Sequence, residues 1–262
     1  MKLLPLVLSA KREDWRMNDS ASEDADAEFS LVKKKVRERD SNTCKFCGFK
    51  QNKADYYIQV HHRNDDHHDN RMENLVTACM HCHAVQHIGL WGSASEAVII
   101  YLPEWPQHFL NDICRVVLVA KKFQTKIEGE VRLASERNPK GQAPAHLNER
   151  LKSAKTMSDA AQALFDRLRA REVEAQLRLG TSDPSDLGTA LLHTPEDAYG
   201  RRHQVFAPFR LLLLGHHHPG GRTESPIDKM QEITDGWLAP GGPFAGLEPA
   251  GWTRLLQSSG PR

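Results

Sequence analysis

The amino-acid sequence predicts an α+β fold in which a small cysteine-rich core is elaborated by helices. Two Cys-x-x-Cys pairs lie in the first third of the chain, and strand-like apolar segments occur at residues 56–60 and 97–102. Helical periodicity follows and is strongest at residues 107–123, where apolar side chains recur every three or four positions. Strands near the cysteine motifs and helices after them are typical of an α+β domain rather than an alternating α/β fold.

The composition is that of an ordinary soluble globular protein. The chain has 262 residues, 39% of them hydrophobic, and a formal net charge of +1. That balance excludes a disordered acidic chain and a strongly basic nucleic-acid-binding protein. No apolar run approaches the ~20 residues that span a bilayer. The apolar run at residues 3–8 is too short for a signal peptide, and we predict a buried strand there.

Four paired cysteines predict a structural zinc site. Cys44 and Cys47 form the first pair and Cys79 and Cys82 the second, with 31 residues between the pairs. Thiolates are soft ligands, and two turns that each present two sulfurs close a tetrahedral zinc shell. Such a shell stabilises the fold and has no open position for activating water. The alternative is four unrelated buried thiols; the fifth cysteine, Cys114, is predicted to be a small core residue.

The spacing of the two pairs also fits a treble-clef arrangement. In this arrangement the first Cys-x-x-Cys pair lies in a turn, for which Gly48 supplies backbone freedom. A hairpin follows, and the second pair opens a helix that we predict from residue 82 to about residue 90.

Histidines surround the second cysteine pair. Their order, His61-His62, then Asn74, then His83 and His87, resembles the HNH (ββα-metal) nuclease family over about residues 44–87. The resemblance implies that His62 is the general base and that Asn74 braces the loop. It also implies that His61, His83 and His87 bind a second divalent metal such as Mg²⁺, Mn²⁺ or Ni²⁺. One alternative is that these histidines have no function and are left over on a fold that is retained for its structural zinc. The other is that they bind adventitious metal.

A second resemblance extends over most of the chain. The motifs that carry it include Leu3-Leu4-Pro5-Leu6, Trp15-Arg16, Val36-Arg37-Glu38-Arg39-Asp40, Asn74-Leu75-Val76-Thr77-Ala78-Cys79, Ile100-Tyr101-Leu102-Pro103-Glu104, Leu110-Asn111, Gly180-Thr181-Ser182-Asp183-Pro184 and Phe209-Arg210-Leu211-Leu212. This collinear set resembles the IcmJ (DotN) family of type IVB secretion systems. Its extent makes it more specific than the short HNH pattern.

The family resemblance implies a function in protein assembly. A member is a zinc-binding subunit of the coupling complex that docks on the cytoplasmic part of the coupling ATPase and works with adaptor proteins. It is cytoplasmic and is held at the inner membrane by its partners. Members are regarded as scaffolds with an HNH-like fold and without nuclease activity, but this chain differs from the usual pattern by keeping His61, His62 and His83.

The two resemblances suggest four regions. We expect a zinc-stapled, HNH-like ββα treble-clef core at residues 1–123 and a helical insertion at 124–180 that is either a solvated hairpin or a charged partner surface. We expect C-terminal helices that pack on the core at 181–238 and a Pro/Gly-rich tail at 239–262. Within the third region, Asp183 and Pro184 have the pattern of a helix cap followed by proline at the first helical position.

Three functions remain open from the sequence. The favoured one is the interaction subunit that docks on the coupling ATPase. The second is a metal-dependent HNH endonuclease with His62 as its base. The third is a zinc-knuckle nucleic-acid-binding protein without catalysis, which the neutral net charge disfavours because such a chain releases few counterions on binding.

Overall fold

The computed structural model describes residues 2–10, 22–51, 58–66, 68–217 and 228–246, and of residues 22–27 only the helical backbone. Within these ranges the chain forms ten α-helices and two separate two-stranded antiparallel sheets. The predicted α+β class is therefore confirmed. None of the described helices is both long enough and apolar enough to cross a bilayer.

The first sheet belongs to the cysteine-rich core. Helix α1 (Ser22–Arg39) precedes strands β1 (Ile58–His62) and β2 (Leu75–Cys79), and helix α2 (Met80–Val85) follows directly. The strands pair antiparallel from Ile58 opposite Cys79 to His62 opposite Leu75. Every residue of β2 is buried, because α1, α2 and the first cysteine turn cover both of its faces.

The second sheet lies next to the longest helix. Helix α3 (Ile88–Ser93) leads to β3 (Ala97–Tyr101), which pairs antiparallel with β4 (Phe209–Leu213), more than 100 residues later in the sequence. Helix α4 (Gln107–Arg137) packs against β4 and forms a hairpin with α5 (Ala145–Arg169). The main hydrophobic core is shared by α3, α4 and these two strands.

Shorter helices complete the described chain. They are α6 (Glu172–Leu179), α7 (Pro184–Leu192), α8 (Glu196–Gly200), α9 (Arg202–Val205) and α10 (Lys229–Leu238). The expected cap at Asp183 is present, because its carboxylate accepts a hydrogen bond from the amide of Ser185 and Pro184 is the first helical residue. Helix α7 packs closely on α3 through glycines, and α10 packs on α4.

Several local predictions differ from the structure. The helix expected at residues 82–90 is two helices, and it is interrupted at residues 86–87. Residues 3–8 form no strand, although the amide of Leu4 donates to the carbonyl of Lys45. Helix α4 continues 14 residues beyond residue 123, the predicted end of the core region. The Trp15-Arg16 motif and residues 247–262 of the predicted tail lie outside the described residues.

Candidate metal centre

Four cysteine sulfurs converge between the first cysteine turn and the start of α2. The Sγ atoms of Cys44, Cys47, Cys79 and Cys82 all lie within 4.8 Å of one another. The Sγ atoms of Cys47 and Cys79 are 3.7 Å apart, and no disulfide joins any of the cysteines. A tetrahedron with zinc–sulfur bonds of about 2.3 Å has edges of about 3.8 Å. The separations therefore suit four ligands of one tetrahedral ion.

Local backbone structure explains why the sulfurs meet. In the first turn Gly48 has a φ of +78° and donates its amide to the carbonyl of Cys44 at 2.9 Å. A side chain is strained at that φ, so glycine permits the tight turn. In the second pair Cys79 ends β2 and is the N-cap residue of α2, while Cys82 lies in that helix. The strand-to-helix junction thus directs both sulfurs toward the first turn.

The sulfur cluster is shielded from solvent. Cys44 and Cys82 have no exposed surface and Cys79 is 2% exposed. Burial and the neighbouring thiols raise the pKa of Cys82 well above its usual range. A thiolate at this position therefore requires a nearby positive charge. A divalent cation bound by all four sulfurs meets that requirement, so the donor set fits zinc.

Helix α4 supplies two polar side chains to the same cluster. The guanidinium of Arg115 donates to Cys79 Sγ at 2.8 Å and to Cys47 Sγ at 3.5 Å. The amide of Asn111 donates to Cys82 Sγ at 3.3 Å. Burial alone would lower the pKa of Arg115, but the nearby thiolates and Asp112 raise it well above its usual range. These donors favour negatively charged sulfurs.

The three predicted histidine ligands lie together beside the cysteine cluster. One ring nitrogen from each of His61, His83 and His87 lies within 4.8 Å of the others. Their ring centroids are 4.4 Å apart for His83 and His87, and 5.7 Å and 5.9 Å from His61 to these two. His61 is buried, whereas the other two are partly exposed. Imidazoles in this arrangement can hold a divalent ion that retains an open coordination position.

His62 does not lie with these three histidines. Successive residues of a strand point to opposite faces, and His62 follows His61 in β1. Its Nε2 lies 2.9 Å from the side-chain oxygen of Asn70, and its ring centroid is 4.6 Å from that of Phe29. The predicted base is therefore buried on the α1 side of the hairpin.

Asn74 connects the two ends of the segment that follows β1. Its side-chain amide donates to the side-chain oxygen of Asn64 at 2.7 Å and to the carbonyl of Asp69 at 2.9 Å. Its side-chain oxygen accepts the backbone amide of Asn64 at 3.1 Å. These are the contacts of a residue that fixes a loop.

The spacing of polar residues in α4 is a sequence signal for the hydrogen bonds that this helix donates to the cysteine sulfurs. Polar residues occur at every fourth position, Gln107, Asn111 and Arg115, inside an apolar helical pattern. All three are nearly completely buried, at 5%, 1% and 1% exposure. Buried polar side chains require partners, so this periodicity marks a face that contacts another polar group. It cannot identify the cysteines as that group.

Comparison with known proteins shows similarity over most of the chain. The chain is 28% identical over 212 residues to a protein described as "Type 4 apparatus protein DotN" from Legionella pneumophila subsp. pneumophila. The aligned region covers 79% of this chain and 82% of DotN. A 71-residue segment is 35% identical to "Zorya protein ZorE" from Escherichia coli, but it spans only 19% of that protein. No family model matches the chain.

Proposed function

The chain is related to the DotN (IcmJ) family of type IV apparatus proteins along most of its length, and from this relationship we propose that it is a zinc-binding subunit of a type IV secretion apparatus. The alignment to 82% of DotN is the observation that carries the proposal. Because it extends far beyond the cysteine segment, it relates the two proteins as wholes rather than through one shared motif. The four converging sulfurs support zinc as the bound ion.

The proposed role is that of a scaffold subunit that binds other proteins of the apparatus. It binds the cytoplasmic part of the coupling ATPase of a type IVB secretion or conjugation system and works together with adaptor proteins. Its place of action is cytoplasmic, peripheral to the inner membrane through those partners. Zinc bound by four thiolates has no open position, so the ion would stabilise the docking surface and take no part in chemistry.

An HNH-like treble clef is the proposed architecture of the core. The first cysteine turn, the β1–β2 hairpin and α2 follow one another in the strand–strand–helix order of that fold. The second cysteine pair lies at the junction of β2 and α2, as a treble clef requires. We retain residues 124–180 as the proposed insertion, which begins within α4 and includes α5 and α6.

Co-purification tests the docking role. The tagged full chain is co-expressed with the cytoplasmic part of the coupling ATPase encoded by the same genome, and the mixture is analysed by size-exclusion chromatography. We expect a stable complex with the wild type and with His62→Ala, because the interaction does not depend on catalysis. Cys79→Ser should lose both zinc and the complex. Separate elution of zinc-loaded wild type and ATPase would overturn the proposal.

A second candidate function is metal-dependent DNA cleavage, which the grouping of His61, His83 and His87 favours. In this alternative the three histidines bind a divalent ion that offsets charge developing on a phosphate. His62 remains the base implied by the sequence, although its ring contacts Asn70 and Phe29. The assignment of the metal ligands and the assignment of the base can therefore be tested by separate substitutions.

Plasmid nicking with Mg²⁺, Mn²⁺ or Ni²⁺ distinguishes the two functions. Cleavage that His61→Ala and His83→Ala abolish would support the nuclease and contradict a pure scaffold. Loss of cleavage in His62→Ala would further support that residue as the base, whereas retained cleavage would exclude it. No cleavage with any of these ions would remove the nuclease candidate.

A further inference from the structure

A buried polar ridge on helix α4 connects the cysteine cluster to the second sheet. The ridge consists of Gln107, Asn111 and Arg115, which lie on one face because they are four residues apart. Arg115 is among the most completely buried large side chains in the described structure. An arginine is rarely buried without a specific partner, so its surroundings indicate its role.

Arg115 is positioned to balance the charge of the metal site. Zinc with four thiolates carries a net charge of about −2. The guanidinium donates to two of these sulfurs, on Cys79 and Cys47, through the same nitrogen, Nη2. Its other terminal nitrogen donates to Asp112 at 2.5 Å, and its central carbon lies 4.3 Å from the ring centroid of Phe49. Packing and hydrogen bonds therefore hold the cation against the sulfurs.

Asn111 and Gln107 extend the contact away from the metal site. Asn111 donates to Cys82 Sγ and accepts a 2.9 Å hydrogen bond from Gln107. The side chain of Gln107 in turn donates to the carbonyl of Leu211 at 2.9 Å and accepts its amide at 2.8 Å. A continuous hydrogen-bonded chain thus runs from a cysteine ligand to strand β4.

We propose that this ridge is the outer shell of the metal site, in which Arg115 and Asn111 are positioning residues that set how tightly the metal is held. The inference rests on the proposed four-cysteine zinc site and adds two residues outside the Cys-x-x-Cys motifs. Hydrogen bonds to ligand atoms orient them and spread their charge, and loss of such a partner typically weakens metal binding about 10–100-fold. How tightly the metal is held therefore depends on how α4 packs against the cysteine cluster.

The test compares zinc affinity in four full-length variants. Arg115→Met removes the cation and its donors, Arg115→Lys keeps the charge with a different geometry, and Asn111→Leu removes a neutral donor. Arg210→Met is the matched control, because Arg210 is a partly buried arginine that donates to backbone carbonyls of Trp105 and Ala207 and not to sulfur. Affinity is measured by competition with a chromophoric chelator, and the sulfur-to-metal charge-transfer bands of the Co²⁺-substituted protein report ligand geometry.

We expect Arg115→Met to bind zinc about 10–100-fold more weakly and to shift the Co²⁺ bands. Arg115→Lys should be intermediate, and Arg210→Met should match the wild type. If Arg115→Met does not fold, Asn111→Leu supplies the comparison because it removes no charge.

Two results would overturn the proposals, and they are distinguishable. Wild-type affinity and unchanged Co²⁺ bands in the folded Arg115 and Asn111 variants would show that the ridge only packs the helix. A wild-type chain that binds neither zinc nor Co²⁺ would instead refute the zinc site itself.

Discussion

The carboxylate of Asp40 accepts a hydrogen bond from the backbone amide of Thr77 at 2.9 Å and forms an ion pair with Lys45 at 3.1 Å. Thr77 lies in β2 two residues before Cys79, and Lys45 directly follows Cys44. Arg39 contacts the same carboxylate at 2.9 Å. One buried side chain therefore connects the end of α1 to both cysteine pairs, without being a metal ligand.

Asp40→Asn should lower the free energy of unfolding by about 1–3 kcal/mol, because buried charge-assisted hydrogen bonds lose one partner's charge. Zinc should still bind, because the four sulfurs are unchanged. Denaturant unfolding and metal content measure the two effects. An unchanged unfolding free energy would show that Asp40 does not tie the two cysteine pairs together.

The contribution of Asp40 should also depend on pH. Burial alone would raise its pKa, but hydrogen bonds from Arg39, Thr77 and Lys45 outweigh burial and lower it. A lowered pKa in the folded state means that ionised Asp40 stabilises the protein above its unfolded pKa of about 3.9. That stabilisation is lost as the pH falls through the folded value. The difference in unfolding free energy between the wild type and Asp40→Asn should thus shrink in strong acid and stay constant near neutrality.

Cys79→Ser should lose zinc and destabilise the whole protein. Metal binding contributes folding free energy when the site does not exist in the unfolded chain, and Cys79 also joins β2 to α2. Thermal unfolding and metal analysis should show a lower melting temperature and less than about one zinc per chain. Cys114→Ser is the control and should keep its zinc, because Cys114 is buried but is not one of the four grouped sulfurs. A Cys79→Ser variant that keeps zinc and melts like the wild type would contradict the assigned site.

Gly92→Ala should destabilise the contact between α3 and α7. A Cβ atom at Gly92 would lie 2.1 Å from the backbone nitrogen of Ser185, so the two helices would have to separate. We expect a loss of about 1–3 kcal/mol, measured by denaturant unfolding. Gly129→Ala in α4 is the matched control: a Cβ there meets no atom within 4 Å, and the change should add about 0.5–1 kcal/mol of stability. Equal effects of the two changes would contradict the predicted clash.

Glu96→Gln should weaken attachment of the segment after β4. Glu96 is 1% exposed, its carboxylate lies 2.6 Å from His217 Nδ1, and the imidazole stacks on Trp91 with centroids 4.5 Å apart. Loss of a buried charged acceptor should cost about 1–3 kcal/mol of unfolding free energy without changing zinc content. The control is Glu104→Gln, because Glu104 and Arg171 form an exposed ion pair that solvent screens and that should contribute little to stability. If both changes cost the same, the contact between Glu96 and His217 contributes no more to stability than an exposed ion pair does.

The sequence predicted those features that depend on neighbouring residues. Two Cys-x-x-Cys pairs present their sulfurs through local turns, and the structure brings all four together. The start of α4, the cap at Asp183 and strand β3 were likewise readable from local patterns. Each of these features is determined by residues that lie within about one helical turn or one strand of one another.

Features that depend on distant contacts could not be predicted in the same way. Strand β4 is a five-residue segment that is apolar except for Arg210, and its partner, β3, lies more than 100 residues earlier. So short a segment has no distinguishing period. To predict that His61 and His62 point to opposite faces, one must know that both lie within one strand. The contact between Arg115 and Cys79 spans 36 residues and depends on how α4 packs.

Because α4 is long, its C-terminal end lies far from the cysteine cluster that its first half contacts. A helix of 31 residues extends about 46 Å, and its C-terminal end at Arg137 lies about 33 Å along the axis from Arg115. A fluorophore on a cysteine introduced at Lys140, in the exposed turn before α5, would therefore sit far from the sulfurs. Such a probe could report partner binding at the hairpin tip while metal exchange is followed independently by the chelator, in the same sample.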